Sequence, residues 1–284
     1  AAMSGGVDSS VAAALALEAG HEVIGATLKL LPGSPTGFGC CGSPEDIADA
    51  KRVCEKLGIP HYVLNFDEVF ERDVVDLFVK DYLESRTPNP CVECNRSVKF
   101  GSLLKLAEAW DAEFVATGHY ARVERLDGEA YALRRSVDED KDQTYFLHAL
   151  NQTQLAKILF PIGGLAKPQV RAKARELGLK TADKPESQEI CFVPAKDYRG
   201  FVRSKAPAEA EAFTAGDIKD SSGKVLGRHT GLADYTVGQR KGLGLTTKEP
   251  YYVTGLDKKS NTLRVGPEPE TLRQGFRVGR ITWT

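Results

Sequence analysis

The 284-residue sequence contains no Gly-x-x-x-x-Gly-Lys-Ser/Thr string, which removes the commonest phosphate-binding loop. It has no apolar run long enough to cross a bilayer as a helix and no signal-peptide pattern. It also has no internal repeat and no low-complexity tract, so solenoid architectures and disordered arrays are set aside. Charge of one sign is missing too. A net charge of −1 excludes a protein coated in positive field, although it leaves room for a local basic face. There is one Cys-x-x-Cys pair where a four-cysteine zinc site needs two, and no well-spaced histidine completes the set. What remains is ordinary: 42% hydrophobic and 27% charged residues, in a chain long enough for a large core and two or three domains.

The most informative string is Ser4-Gly5-Gly6-Val7-Asp8-Ser9-Ser10, followed by the helix-forming Val11-Ala12-Ala13-Ala14-Leu15-Ala16-Leu17. Two glycines let the backbone approach a charged ligand. The following helix then aims its unpaired amides and positive dipole end at that ligand. Ser4, Ser9 and Ser10 offer hydroxyls, and Asp8 can hold a metal ion bridging phosphate oxygens. The loop resembles that of the ATP pyrophosphatases, which split ATP between the α- and β-phosphates. A buried strand is expected before such a loop, yet only Ala1, Ala2 and Met3 precede Ser4. The sequence is therefore expected to start inside a longer chain. Residues 277–284 read as a strand in progress, so the last module is expected to be cut off as well.

The first two-thirds alternate strand and helix patterns. Val23–Leu28, Tyr62–Leu64 and Glu113–Thr117 read as strands. Ser43-Pro44-Glu45-Asp46 opens a helix whose apolar stripe is Ile47, Ala50, Val53, Cys54 and Leu57, stopped by Gly58. Further helices are predicted over Val69–Tyr82, Val98–Trp110 and from Pro168 to Gly178. This alternation predicts an α/β fold: a parallel sheet with helices on both faces and ligands beyond the carboxyl ends of its strands. After about residue 195 glycine and short β-like runs take over. Tyr251–Thr254 and Thr262–Val265 predict a hairpin. The expected domains are 1–195, a small central domain at 196–249, and the start of a β-rich, barrel-like domain at 250–284.

Two basic clusters stand out: Lys167, Arg171, Lys173, Arg175 and Lys180 on one predicted helix, and Arg228, Arg240 and Lys241 among glycines. Each is either a solvated surface or a nucleic-acid face. Of six cysteines, Cys54 reads as core and Cys40 and Cys41 as loop residues. Cys91 and Cys94 lie in Arg86-Thr87-Pro88-Asn89-Pro90-Cys91-Val92-Glu93-Cys94-Asn95, and Cys191 lies in Ser187-Gln188-Glu189-Ile190-Cys191-Phe192. Spacing leaves three chemistries open: disulfide exchange, an iron–sulfur cluster with one open iron, or a persulfide on Cys191 resolved by Cys94.

Taken together, these strings resemble the tRNA-specific 2-thiouridylases of the MnmA type, within the ATP pyrophosphatase superfamily. The resemblance rests on the Ser4–Ser10 loop, Thr87–Asn95, Ala116-Thr117-Gly118-His119-Tyr120, Lys141-Asp142-Gln143, Ser187–Phe192 and Thr236–Gly244. It implies an adenine nucleotide α-hydrolase-like fold and an enzyme that exchanges the 2-oxygen of the wobble uridine in Lys, Glu and Gln tRNAs for sulfur. By the same resemblance, Ala2, Met3, Ser4, Gly5, Gly6, Val7, Asp8 and Ser9 bind ATP with Leu28 and Gly118, and Mg²⁺ rides on Asp8. Asn89, Pro90 and Cys91 meet the target base, Cys94 and Cys191 are catalytic, and His119, Lys141, Asp142 and Gln143 touch tRNA. A [4Fe–4S] cluster on Cys91, Cys94 and Cys191 stays open, because this chain has a third thiol, Cys91, where some members carry aspartate. A sulfur relay or cysteine desulfurase is the implied donor, with no membrane partner and a cytoplasmic location. The rival readings are another ATP pyrophosphatase-type ligase (argininosuccinate, GMP or NAD synthetase-like), which has no need of the two cysteines, and a non-catalytic nucleotide-binding regulator.

Overall fold

In the computed structural model the described residues are 1–31, 42–128, 130–186, 190–246, 249–275, 278–279 and 281–282. Cys40, Cys41 and the Ser187-Gln188-Glu189 string fall outside them. Contacts divide the chain into one unit built on residues 1–74 and 90–196 and another built on 75–89 and 197–281.

The first unit is organised by parallel strands. β1 (Gly25–Lys29) pairs in register with β2 (His61–Asn65), from Gly25 opposite His61 to Lys29 opposite Asn65. β3 (Val115–Ala116) pairs with β6 (Ile158–Leu159), also parallel. Residues 1–3 join the two pairs. Ala26 donates to Ala1 O and Met3 to Ala26 O on one side, while Ala2 donates to Ala116 O on the other, each at 2.8 Å. The resulting order is β2, β1, residues 1–3, β3, β6. Chain direction of growth reverses between residues 1–3 and β3, the switch point at which open α/β sheets bind ligands. β4 (Ala121–Arg125) and β5 (Tyr131–Arg135) form an antiparallel hairpin in the β3-to-β6 connection.

The helix Val7–Glu18 is buried along most of its length through Val7, Ser9, Ser10, Val11 and four alanines. Small side chains let neighbours approach on several sides, and its apolar cluster takes in Val53, Cys54, Val170 and Ala174. The helix Pro44–Leu57 forms as its sequence predicts. Ser43 accepts from the Asp46 amide at 3.1 Å, Pro44 opens the first turn, and Gly58 ends it at φ +69°. The helix Lys167–Glu176 begins with the Gln169 side chain accepting from the Ala166 amide. Two other stretches depart from expectation. Glu71–Val75 and Cys94–Ser102 are wide π-type turns between α-helical segments. Apolar periodicity cannot announce an inserted residue that shifts the stripe by about a quarter turn.

In the second unit, β7 (Gly216–Lys219), β8 (Val225–His229), β9 (Tyr252–Asp257) and β10 (Thr262–Gly266) form a sheet in the order β8-β7-β10-β9. The β9–β10 hairpin is the one the sequence predicts. The boundary expected at 249/250 runs through this sheet, because β10 pairs in parallel with β7. Ile218, Leu232, Leu243, Val253 and Leu263 from both sides of it share one core. Residues 75–89, expected with the first domain, group with this unit.

Candidate functional site

The loop after residues 1–3 is shaped by its glycines. Gly5 sits at φ +75°, and a Cβ there would lie 2.4 Å from Asp46 O. Left-handed backbone and close approach together admit only glycine. Lys184 secures this turn: its Nζ donates to Gly5 O at 3.1 Å and to Asp46 and Asp49 at 2.7 Å each. Burial lowers the Lys184 pKa, but the bonds to the two carboxylates outweigh it and the net shift is upward. The serines are builders rather than free donors. Ser9 Oγ accepts from the Ser4 amide and donates to Gly6 O at 3.1 Å. Ser10 Oγ also donates to Gly6 O, at 2.7 Å, and Thr181 donates to Ser10. No side chain caps the helix Val7–Glu18, whose N-cap is Gly6. Its first-turn amides and positive dipole end therefore remain for an anion.

Gly118, just past β3, closes the other side of the loop. A Cβ on it would stand 2.6 Å from Asp8 C and Ser9 N. Beside it, the Asp8 carboxylate accepts from Tyr120 OH at 2.9 Å and from Lys167 Nζ at 2.8 Å. Lys167 also reaches Glu186 at 2.9 Å, and Glu186 takes Lys141 at 2.7 Å and Arg171 at 3.7 Å. Hydrogen bonds from Lys141 and Lys167 hold the Glu186 carboxyl down to about 2. Burial, and then the Asp8 charge, push the Tyr120 phenol far up, so it stays a donor. Asp8, Tyr120, Lys141, Lys167 and Glu186 line a cleft of about 180 Å³ together with Ser4, Gly6, Val7, Asp46, Gln143 and Lys184. A larger cavity of about 370 Å³ opens among Ala1, His21, Trp110 and Phe114. These residues stand at the opposite strand ends from the loop and bring no charged constellation of comparable density.

The structure places the remaining predicted residues as follows. Ala2 and Met3 are the sheet segment feeding the loop, and Leu28 is buried at the carboxyl end of β1. Pro90 is buried, Asn89 half-buried and Cys91 exposed. Cys94 is buried and is the first residue of the π-type stretch Cys94–Ser102. The next residue, Asn95, donates through Nδ2 to Phe146 O at 3.0 Å. Cys191 is half-buried. The ring of its neighbour Phe192 packs edge-on against Phe70 at 5.6 Å, and the turn Asp67–Phe70 packs against Cys94–Ser102. One short turn thus adjoins both thiol-bearing segments. Cys54 is fully buried and its thiol is pushed up to about 11 by burial, as its core reading requires.

The residues expected to meet tRNA are drawn inward. Lys141 is held by Glu186 in the cleft. Asp142 accepts from the Ser136 amide and from Thr144, and Gln143 Oε1 accepts from the Tyr120 amide at 2.9 Å. His119 bonds Thr117 at 2.8 Å between the rings of Phe100 and Phe160. Burial, assisted by Lys99, lowers its pKa well below the usual range, which leaves it neutral at pH 7. Four of the five predicted basic residues have partners, while Lys180 lies beyond the helix Lys167–Glu176 and is exposed. Lys167 pairs with Asp8 and Glu186, Arg171 donates to Ala182 O and Lys184 O, Lys173 pairs with Glu18, and Arg175 pairs with Asp183. Sequence reasoning missed Lys184, Glu186 and the role of Tyr120. The charges flanking Pro185 just before the Ser187 string were the only available signal.

Two expected inorganic groups fare differently. Magnesium fits: the cleft offers carboxylate oxygens, and this ion is bound through one or two carboxylates plus substrate phosphates. An iron–sulfur cluster does not fit. Among the described residues no three His, Cys, Asp or Glu are placed to hold a metal, so Cys91, Cys94 and Cys191 do not form a ligand cage.

A family model described as the tRNA methyl transferase HUP domain matches residues 1–195, and one described as the tRNA methyl transferase PRC-barrel domain matches residues 208–267. The chain is 50% identical to a tRNA-specific 2-thiouridylase MnmA of Geobacter metallireducens, over 99% of this chain and 77% of that protein. It is 49% identical to the protein of the same name from Heliobacterium modesticaldum, over 99% and 74%. Among solved structures it is similar to the U34-tRNA thiolase NcsA from Methanococcus maripaludis with its [4Fe–4S] cluster. That likeness has a TM-score of 0.41 and 19% identity, covering 72% of this chain and 62% of that one.

Proposed function

The chain belongs to the tRNA-specific 2-thiouridylase family, and we propose that it catalyses the ATP-dependent 2-thiolation of the wobble uridine in Lys, Glu and Gln tRNAs. The observation that carries this reading is the uncapped helix end between Gly5 and Gly118, an anion cradle in the same unit as Cys94 and Cys191. Methyl transfer, the reaction in the family model's description, would leave both the cradle and the thiols without a task.

The uracil O2 attacks the α-phosphorus of ATP and pyrophosphate leaves, so a poor leaving oxygen becomes AMP. First-turn amides of the helix Val7–Glu18, with Lys141 and Lys167, stabilise the charge that develops on pyrophosphate. Magnesium on Asp8 would supply further neutralisation of phosphate charge. The terminal sulfur of a Cys191 persulfide then attacks C2 and AMP departs, giving a C2–S–S–Cys191 adduct. The Cys94 thiolate attacks the Cys191 sulfur. The S–S bond to the base breaks, 2-thiouridine leaves, and a Cys94–Cys191 disulfide remains for an external thiol to reduce. That step requires the two Cα atoms to come within about 7 Å. A cysteine desulfurase or relay protein is the class of partner that recharges Cys191. The base leaves its stack at a cost of a few kcal/mol, which contacts to tRNA phosphates offset.

Persulfide-loaded protein, unmodified tRNA and ATP are mixed for one turnover, with 2-thiouridine and pyrophosphate both measured. Wild type forms both products. Cys191→Ser forms pyrophosphate and no 2-thiouridine. Full product formation by Cys191→Ser would instead establish a ligase-type reaction independent of that thiol.

A further inference from the structure

The cleft contains an anion of its own. Glu186 lines the same cleft as Gly6 and Val7 at the uncapped helix end and bonds Lys167 at 2.9 Å and Lys141 at 2.7 Å. Lys167 is the more confined of the two, with a side chain 9% exposed, and its second partner is Asp8 of the phosphate loop. Lys167, Glu186 and Lys141 therefore form a chain of ion pairs that starts at the loop and lines a space of about 180 Å³. A carboxylate bonded by two ammonium groups presents oxygens as a phosphate does. Both lysines line the same cleft as Gly6, Val7 and Asp8 at the start of that helix. The side-chain charges lining the cleft balance, Lys141, Lys167 and Lys184 against Asp8, Asp46 and Glu186, and the helix adds a positive end. Lys184 also lines the cleft, but its ammonium is already held by Gly5 O and by Asp46 and Asp49 of the helix Pro44–Leu57.

We propose that Lys141 and Lys167 are ligands for the phosphates of the nucleotide, and that the Glu186 carboxylate is a built-in competitor holding them while no nucleotide is bound. This rests on the reading that the cleft takes ATP. Binding then exchanges one anion for another on the same two lysines. The apparent affinity is lowered by the fraction of molecules in which Glu186 holds them. Removing the competitor's charge tightens ATP binding, and removing either lysine weakens it. These opposite signs from three residues in one cluster are what a merely structural ion-pair network would not produce.

The test is equilibrium binding of ATP, with and without Mg²⁺, to wild type, Glu186→Gln, Lys141→Met and Lys167→Met. Each protein is first shown to be folded by its thermal transition. Glu186→Gln is expected to lower the Kd about 3- to 10-fold with or without the metal, and each lysine variant to raise it about 10-fold or more. Glu186→Gln binding more weakly in Mg²⁺ alone would make Glu186 a metal ligand and overturn the proposal. So would Lys141→Met with unchanged ATP affinity and lost tRNA affinity, which would return Lys141 to the tRNA face. If wild type binds no ATP, the functional reading itself fails. If wild type binds and Glu186→Gln binds no tighter, only the competitor role fails.

Discussion

Replacing Gly118 by alanine adds one methyl group at the point where the sheet meets the phosphate loop. That methyl would lie 2.6 Å from Asp8 C and Ser9 N and 2.9 Å from Asp8 O. Carbon contacts settle at about 3.5 Å or more, so the loop must retreat by roughly 1 Å. The obstacle is backbone, which cannot swing aside as a side chain would. Overpacking of this kind costs about 1–3 kcal/mol, or about 2–12 °C in Tm at about 2–4 °C per kcal/mol for a domain of this size. Nucleotide binding should suffer more than folding, because the displaced atoms are the first-turn amides that hold the anion. A misplacement of about 1 Å in such a group can lower a rate about 100-fold. Gly164 is the control: it is exposed and a Cβ there meets nothing within 4 Å, so Gly164→Ala should change stability by less than about 0.5 kcal/mol. The assay is a thermal transition with and without saturating ATP, alongside pyrophosphate release. A Gly118→Ala protein with wild-type Tm and wild-type ATP affinity would refute the claim that this contact positions the loop.

Two further outcomes are expected. Alkylation of native protein followed by peptide mapping should modify exposed Cys91 quickly and spare Cys54 until denaturant is added, since Cys54 is fully buried and its thiol is raised to about 11; rapid native labelling of Cys54 would contradict its core position. Glu186 has a folded-state pKa depressed from 4.5 to about 2. Its stabilising contribution is therefore present above about pH 4.5 and lost as pH falls toward 2. The Tm gap between wild type and Glu186→Gln should be open at pH 7 and close across that acid window; a gap constant from pH 7 to pH 2 would mean that the Lys141 and Lys167 bonds are not what shifts the group.

The elements with strong local chemistry were legible from the sequence. Ser43, Pro44 and Gly58 mark both ends of their helix, and Asp257 to Asn261 mark the β9–β10 turn. The phosphate loop was equally plain, because Gly5 and Gly6 before an alanine-rich helix serve few other purposes. What escaped notice depends on partners distant in the chain. Lys184 reaches Gly5 across 179 positions and Lys167 reaches Asp8 across 159. In sequence each is one lysine among many. The basic helix was ambiguous for the same reason: its charges look free until the acids beside them, Asp8, Glu18, Asp183 and Glu186, are brought alongside. The parallel pairing of β7 with β10 was hidden because no turn signal links them.

Ala1–Met3 form the rung by which β1 and β3 are held together, and the loop begins at the very next residue. The loop therefore hangs from the middle of the sheet rather than from a free edge. Load from an arriving triphosphate or a departing pyrophosphate is shared by hydrogen bonds on both flanks. Slackening either flank should be felt first as lost stiffness in the grip on the anion, before it registers as unfolding.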